Sequence, residues 1–360
     1  MVVSHLFELG WSPFFQQHLN SGDTRIPARV VEEQRSAYRV AGETGEMPAV
    51  AAGHLRHAAR ERSALPAVGD WVLLEETQGG GPAVIHEVLP RKSKFSRKLA
   101  GRETAEQIIA ANIDTVLLVT SLNADLNMRR IERYLTTIWE SGAQPAVLLN
   151  KSDLVADPAA AVEAVAETAI GVPIHVLSCV TGDGLEEIHD YLKPGRTVAL
   201  LGSSGVGKST LVNRLLGDHI QKVREVRQDD DHGRHTTTAR RLFILPGGGL
   251  LVDTPGMREL QLWDGGGLSR TFDDIEALAQ SCRFRDCRHE SEPGCAVQSA
   301  LADQQLSLGR YESYTKLKRE LGYLERKQDV FARIEQNRKW KRIHKAVRDM
   351  YKQREGGGEF

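Results

Sequence analysis

Three groups of residues in this chain have the types and spacing that chemistry requires. The first is Gly202-Ser203-Ser204-Gly205-Val206-Gly207-Lys208-Ser209, which fits the GxxxxGK[ST] pattern of a phosphate loop. Backbone N–H groups from Ser204 to Lys208 would cradle a polyphosphate at the positive end of the following helix. Lys208 would reach the β- and γ-phosphates, Ser209 would bind Mg2+, and Thr210 would continue the cradle. The second group is Asn150-Lys151-Ser152-Asp153, an NKxD element. The Asp153 carboxylate can accept from both the ring N1–H and the exocyclic amine of guanine, a pair of donors that adenine lacks, so GTP rather than ATP is the expected nucleotide. The third is Cys282-x4-Cys287-x-His289-x5-Cys295. Three thiolates and one imidazole at this spacing form the ligand set of a closed, structural zinc site, with no open position for catalysis. The chain has 4 cysteines, and an odd number of them here cannot pair off as disulfides.

Elements must position these groups, and their order is unusual. Thr197-Val198-Ala199-Leu200-Leu201 reads as a strand leading into the phosphate loop, and Ser209 to Leu216 reads as a helix leaving it. Leu250-Leu251-Val252-Asp253 reads as a strand ending in the DxxG motif Asp253-Thr254-Pro255-Gly256. There Asp253 would hold Mg2+ through water and the Gly256 N–H would sense the γ-phosphate. Between them lies Gly233-Arg234-His235-Thr236-Thr237-Thr238, from which Thr237 is the favoured switch threonine for Mg2+. Upstream, Val176-Leu177-Ser178-Cys179 ends a strand where a loop would give backbone N–H groups, from Ser178 and Cys179, to guanine O6. In an ordinary GTPase the phosphate loop comes first and the guanine reader later. Here the reader and its loop precede the phosphate loop, the switches and DxxG, which is the order of a circularly permuted domain. Termini of a domain lie close together at its surface, so permutation is tolerated by the fold. It also joins whatever follows Asp253 to Gly256, namely the cysteine-rich segment, directly to the nucleotide sensor.

With these motifs in this order, and with Gln107-Ile108-Ile109-Ala110-Ala111-Asn112-Ile113-Asp114 leading into the first strand, the chain resembles the RsgA (YjeQ/YloQ) family of small-subunit ribosome biogenesis GTPases. The resemblance runs from roughly residue 25 to residue 330. It implies an α/β fold with a circularly permuted P-loop GTPase domain, a mostly parallel sheet with flanking helices. An all-β OB-fold barrel would precede it and a helical zinc-binding domain would follow. It also implies GTP hydrolysis stimulated by the small ribosomal subunit during late maturation; that hydrolysis drives release is a further expectation. The position after DxxG is Met257, whose thioether cannot position water as the glutamine of Ras-like enzymes does; members of the family carry a hydrophobic residue there. His235 is the expected catalytic substitute, with Lys208 and Thr237 beside it, and Arg234 is an alternative source of transition-state charge.

The segments outside the motifs divide by pattern. Pro27–Val31, Ala37–Val40, Ala49–Ala52, Asp70–Leu74 and Ala83–Val88 are five short strand-like runs separated by turns, suited to a small barrel of OB or SH3-like type. The expected units are an extension over 1–25, an OB-fold RNA-binding domain over 26–98 and the GTPase domain over 99–264. A zinc-binding domain over 265–332 and a basic helix or tail over 333–360 complete the chain. The extension carries Phe7, Trp11, Phe14 and Phe15 and reads as a helix packed on a neighbour. Arg91 to Lys98 is basic with one aromatic, Phe95, and is either a solvated linker or an RNA contact. Tyr311, Tyr314, Leu317, Leu321 and Leu324 recur at helical spacing. The tail holds Arg338, Lys339, Trp340, Lys341 and Arg342, able to follow phosphates while the indole stacks.

With 360 residues and 41% hydrophobic content the chain can build several cores, and no run approaches the roughly twenty apolar residues of a membrane span. Cytoplasm and a monomer are expected, without a membrane partner. The formal net charge is −1, so RNA binding must come from local patches. The expected partners are GTP or GDP and the small subunit with its rRNA, with GTP fixing the zinc module through switch II. An RNA-binding assembly scaffold, or a paralogue with another target and little hydrolysis, is the alternative.

Overall fold

The computed structural model describes residues 5–34, 37–58, 62–77, 79–98, 106–123, 126–217, 240–253, 266–324 and 326. Arg234, His235, Thr237, Gly256, Met257 and the basic tail lie outside the described residues.

The five strand-like runs near the amino end lie in β1 (Ile26–Gln34), β2 (Ala37–Gly42), β3 (Gly45–Ala51), β4 (Trp71–Glu75) and β5 (Ala83–Val88). They pair in the order β1-β2-β3-β5-β4, and β4 returns to β1 to close the barrel. The β3–β5 pair is parallel, which is the OB arrangement rather than an SH3-like meander. Alternation along the strands divides their side chains between two cores. Ala28, Val30, Val72, Leu74 and Ile85 fill the barrel, while Val31, Ala41, Trp71 and Leu73 face out into the junction with the next unit.

The basic stretch is largely a structural joint. β6 (Lys94–Lys98) pairs with β7 (Glu106–Ala111), Phe95 is buried, and Arg91 grips the buried Asp70 carboxylate at 2.7 Å. In the extension, α1 (His5–Glu8) and α2 (Pro13–Gln16) flank an aromatic knot. Trp11 meets the buried Trp71 edge-on at 4.7 Å, and Lys92 lies 4.9 Å from the Phe15 ring centre. Arg29, wholly buried, donates to the carbonyls of Leu9, Gly69 and Asn112. Its guanidinium thereby ties extension, barrel and the entrance to the next unit, and burial pulls its pKa down to about 10.

After the short α3 (Gly53–Ala58) of the barrel come β8 (Thr115–Ser121), α4 (Met128–Ser141), β9 (Gln144–Asn150), α5 (Ala159–Thr168), β10 (Ile174–Val176), β11 (Thr197–Leu201) and α6 (Lys208–Leu216). β12 (Arg240–Ile244) and β13 (Leu250–Asp253) follow. The strands order as β10-β9-β8-β11-β13-β12. All neighbours are parallel except β12 against β13. Their near-continuous apolar runs reflect burial on both faces. This is a doubly wound sheet read in permuted order. At its edge β12 also pairs with β1 of the barrel, Glu32 opposite Arg241 and Glu33 opposite Arg240. Eleven strands among the described residues thus form one sheet, and an Arg240–Glu33 ion pair of 2.9 Å crosses the seam.

Four helices follow among the described residues: α7 (Gly266–Thr271), α8 (Asp273–Ala279), α9 (Ala296–Ala302) and a longer one over residues 308–324. The Tyr314, Leu317 and Leu321 stripe packs on Phe272, Ile275 and Val297 within this unit. The unit docks on α4. Gly267 lies so close that an added Cβ would stand 1.9 Å from the Thr136 carbonyl oxygen. Arg310 bridges Asp274 at 2.7 Å and the buried Glu132 of α4 at 3.1 Å, and Arg133 pairs with Glu320 at 2.7 Å. Besides its covalent link after β13, the unit therefore has a separate, ionic attachment to the sheet's flanking helix. No helix among the described residues is long and apolar enough to cross a membrane.

Candidate functional site

The sequence-predicted residues collect at the carboxyl ends of the parallel strands, where ligands bind in doubly wound sheets. β11 ends at Leu201, and the phosphate loop turns into α6, whose first residue is Lys208. Two glycines are dictated by contact as well as by backbone. At Gly202 (φ 144°) a Cβ would stand 2.1 Å from the Val119 carbonyl oxygen, and at Gly207 (φ 104°) it would stand 2.1 Å from Asn150 Nδ2. Positive φ at both positions also disfavours any side chain. Lys208 Nζ arches back over the loop, donating to the carbonyls of Gly202 and Ser203. Val206 is buried, while Ser204, Gly205, Ser209 and Thr210 are exposed along the loop and the first turn of α6.

Asn150, at the end of β9, joins two loops. Its Nδ2 donates to Val206 O at 2.7 Å in the phosphate loop, and its Oδ1 accepts from the Cys179 N–H at 2.9 Å. Lys151 adopts a left-handed conformation, φ 66°, which turns the chain sharply toward Asp153. The Ser178 hydroxyl donates to Asp153 Oδ1 at 2.5 Å and accepts from the N–H groups of Val180 and Thr181 at 3.2 and 3.1 Å. Carboxylate and loop N–H groups are thus brought to one place. The Cys179 thiol is pushed up to about 11 by burial, so it stays protonated; the Ser178 N–H expected to face guanine O6 donates instead to Asp183 O at 2.9 Å, as the Cys179 N–H does to Asn150. Asp253 ends β13, beside β11, half-buried. His235, Thr237 and Gly256 fall outside the described residues.

Cys282, Cys287, His289 and Cys295 point their ligand atoms to within 4.8 Å of one another. Cys282 Sγ and Cys295 Sγ are 3.9 Å apart, and His289 Nδ1 lies 3.6 and 3.5 Å from them. Tetrahedral Zn–S and Zn–N bonds of about 2.3 and 2.05 Å require S···S near 3.8 Å and S···N near 3.5 Å, so the donors fit a zinc ion. Burial holds the His289 imidazole below its usual pKa, leaving the neutral ring that ligates metals. Burial opposes ionisation of the Cys282 thiol, but N–H groups of Ala296 and Val297 together with the Cys295 and Cys287 thiols outweigh it and hold the thiol below its usual range. The His289 carbonyl accepts from Tyr311 Oη at 2.6 Å, fixing the ligand loop to the 308–324 helix. The Glu292 carboxylate accepts N–H bonds from Arg288, Glu290 and Ser291. These bonds lower its pKa to about 2.

Comparison with known proteins agrees with this arrangement. The RsgA GTPase family profile matches residues 88–263. Small ribosomal subunit biogenesis GTPase RsgA 1 of Oceanobacillus iheyensis is 47% identical over 332 residues, covering 91% of this chain and 95% of that protein. The chain belongs to the RsgA family. A second RsgA relative, from Opitutus terrae, is 48% identical over 356 residues, covering 95% of this chain and 97% of its own. Among solved structures, YjeQ from Thermotoga maritima matches with TM-score 0.63 and 29% identity, over 82% of this chain and 98% of that one. YloQ, a circularly permuted GTPase, matches with TM-score 0.62 and 25% identity, over 85% and 98%.

Two features of this RsgA-family chain escape motif reading. Arg214, in the last turn of α6, donates to the carbonyls of Cys179 and Val180. The docking of the cysteine-rich unit on α4 through Arg310 joins positions far apart in sequence. An arginine at the end of an apolar helix and a glutamate inside another are ordinary in sequence; only their neighbours give them a task.

Proposed function

We propose that this chain is a GTPase of small ribosomal subunit biogenesis, the activity named for its relatives. The observation that carries the reading is Asn150, whose one amide links the phosphate loop at Val206 to the guanine loop at Cys179. A phosphate-binding and a guanine-reading loop held at a fixed separation select a guanine nucleotide.

The roles assigned follow from chemistry. Asp153 reads N1–H and the amine, and the loop at Ser178 and Cys179 faces O6. Asn150 sets the separation of the two loops, and Lys151 packs beside the base. N–H groups of Gly202, Ser203, Ser204, Gly205, Val206 and Gly207, with Lys208 and Thr210, hold the phosphates. Ser209, Asp253 and Thr237 would hold Mg2+, which offsets charge on the phosphates when bound. Water attacks the γ-phosphorus, the bond to the β–γ bridging oxygen breaks, and GDP and phosphate leave. His235 orients that water and takes part in its proton transfer, because Met257 cannot. Gly256 senses the γ-phosphate. Zinc is assigned to Cys282, Cys287, His289 and Cys295, one ion per chain, where it would supply folding energy.

The units assigned are 26–98 (RNA-binding barrel), 99–264 (GTPase) and 265–332 (zinc), with the extension at 1–25 and the basic tail at 333–360. Barrel, zinc unit and tail bind rRNA of the small subunit late in its maturation, the chain acting as a cytoplasmic monomer. GTP and GDP states must differ in affinity for the particle if hydrolysis is to drive release. The test is GTP turnover of the zinc-loaded protein alone, then with small subunits, large subunits and naked RNA. Stimulation by small subunits alone is expected, and loss of it in His235→Ala. Equal turnover in all four conditions overturns the proposal.

A further inference from the structure

The loop over residues 178–182 is held from two sides. On one side are Asn150 and the Ser178 hydroxyl, both already described. On the other is a side chain from a different element: Arg214 of α6, whose Nε donates to Cys179 O at 3.1 Å and whose Nη2 donates to Val180 O.

The geometry points to Arg214 as a positioning residue for guanine recognition, which rests on the guanine reading above. Cys179 O and the Val180 N–H belong to one planar peptide, as do Val180 O and the Thr181 N–H. All the peptides here are trans, so each carbonyl and its partner N–H point to opposite edges. Gathering both carbonyls on one guanidinium turns both N–H groups to the far side. There they meet Ser178 Oγ, the hydroxyl that donates to Asp153. The hydroxyl they hold meets the Asp153 carboxylate suited to N1–H and the amine, so Arg214 fixes from behind the loop that sets that carboxylate. A guanidinium can do this because it offers several N–H groups in a rigid fork, whereas a lysine ammonium is a single point charge.

Arg214 also stands on the helix that begins at the phosphate loop. One rigid element of nine residues therefore carries the phosphate cradle at its start and the clamp on the guanine loop at its end. A cation in the last turn is further favoured by the helix dipole.

The test compares nucleotides that differ only at the base edge, using full-length zinc-loaded protein and competition against a fluorescent GDP derivative. GDP and inosine diphosphate keep the oxygen at position 6 and the N1–H that Asp153 meets; 2-aminopurine riboside diphosphate lacks both. Arg214→Gln is expected to weaken GDP and inosine diphosphate each by roughly tenfold, and the 2-aminopurine nucleotide by less than about twofold. Arg214→Lys, able to reach one carbonyl, is expected to fall between. The ratio of GDP to 2-aminopurine affinity is internal to each protein, so partial misfolding, which lowers both, leaves it unmoved. If Arg214→Gln does not fold, the ratio in Arg214→Lys decides. Equal weakening of all three nucleotides, or no weakening, overturns the role of Arg214 alone. A wild-type protein that binds ADP as tightly as GDP overturns the guanine reading itself, and this inference with it.

Discussion

Asn150→Ala is the substitution whose consequence follows most directly from the geometry. The amide makes two hydrogen bonds, to Val206 O at 2.7 Å and from the Cys179 N–H at 2.9 Å, and the residue is only 2% exposed. Each neutral bond contributes about 1 kcal/mol net, and a buried partner left unpaired costs about 1–3 kcal/mol. The two partners are not equally stranded. Val206 sits in a buried position, whereas the loop at Cys179 continues into Val180, 66% exposed, where water can approach. A total of about 3 kcal/mol follows, near the middle of the range, and because GDP binding must restore the loop separation that these bonds hold, GDP affinity falls by up to roughly a hundredfold. The assay is displacement of a fluorescent GDP derivative, with the urea midpoint and zinc content measured alongside. Asn150→Asp should be worse than alanine at pH 8, because a carboxylate oxygen would face the Val206 carbonyl in place of a donor. If Asn150→Ala binds GDP within about twofold of wild type, the two loops are not held together by this side chain and the argument fails.

Arg310→Met should destabilise the protein by about 3–5 kcal/mol, because it strands the buried Glu132 carboxylate, which is 3% exposed. Adding Glu132→Gln should recover much of that in urea unfolding, and a double variant no more stable than the single one would show that the pair is not coupled. Chelation of zinc should melt the helices after residue 266 while leaving the OB barrel folded, read by far-UV circular dichroism together with hydrogen exchange in β1 to β5. Complete unfolding on chelation would show that the barrel depends on the metal. Glu292 is held at about 2, below its ordinary value near 4.5, so its stabilising contribution is whole above pH 4.5 and fades as the pH falls toward 2. Glu292→Gln should therefore be less stable than wild type at pH 7 and converge with it near pH 2; a gap that persists at pH 2 would assign the loss to something other than the carboxylate charge.

Reading the chain from its sequence succeeds where one short segment must satisfy a demanding local chemistry. Gly202 and Gly207 cannot be other residues in a loop with these φ angles and contacts. The cluster of Cys282, Cys287, His289 and Cys295 declares itself because a metal accepts few side-chain types. The five barrel strands show through because short apolar runs separated by turn residues stay visible even where both faces of β4 are buried and no alternation remains. It does less well where charge alone is the guide. Arg91 to Lys98 reads as a solvated linker or an RNA contact, yet Arg91 grips Asp70 and Phe95 is buried, because the sequence pattern cannot show that a buried carboxylate waits across the barrel.

The order of motifs, the guanine preference and the metal ligand set were therefore determined by sequence, since backbone conformation and ligand chemistry are imposed within a few residues of one another. Tertiary structure alone decided the long-range attachments: Arg29 tying extension to barrel, β12 joining β1, Arg310 pinning the helical unit to α4, and Arg214 clamping the guanine loop. Each depends on a charge meeting a partner brought near only by folding. A guanidinium must find acceptors wherever the chain supplies them, most of all when buried as Arg29 is, and no local spacing records where those acceptors will be.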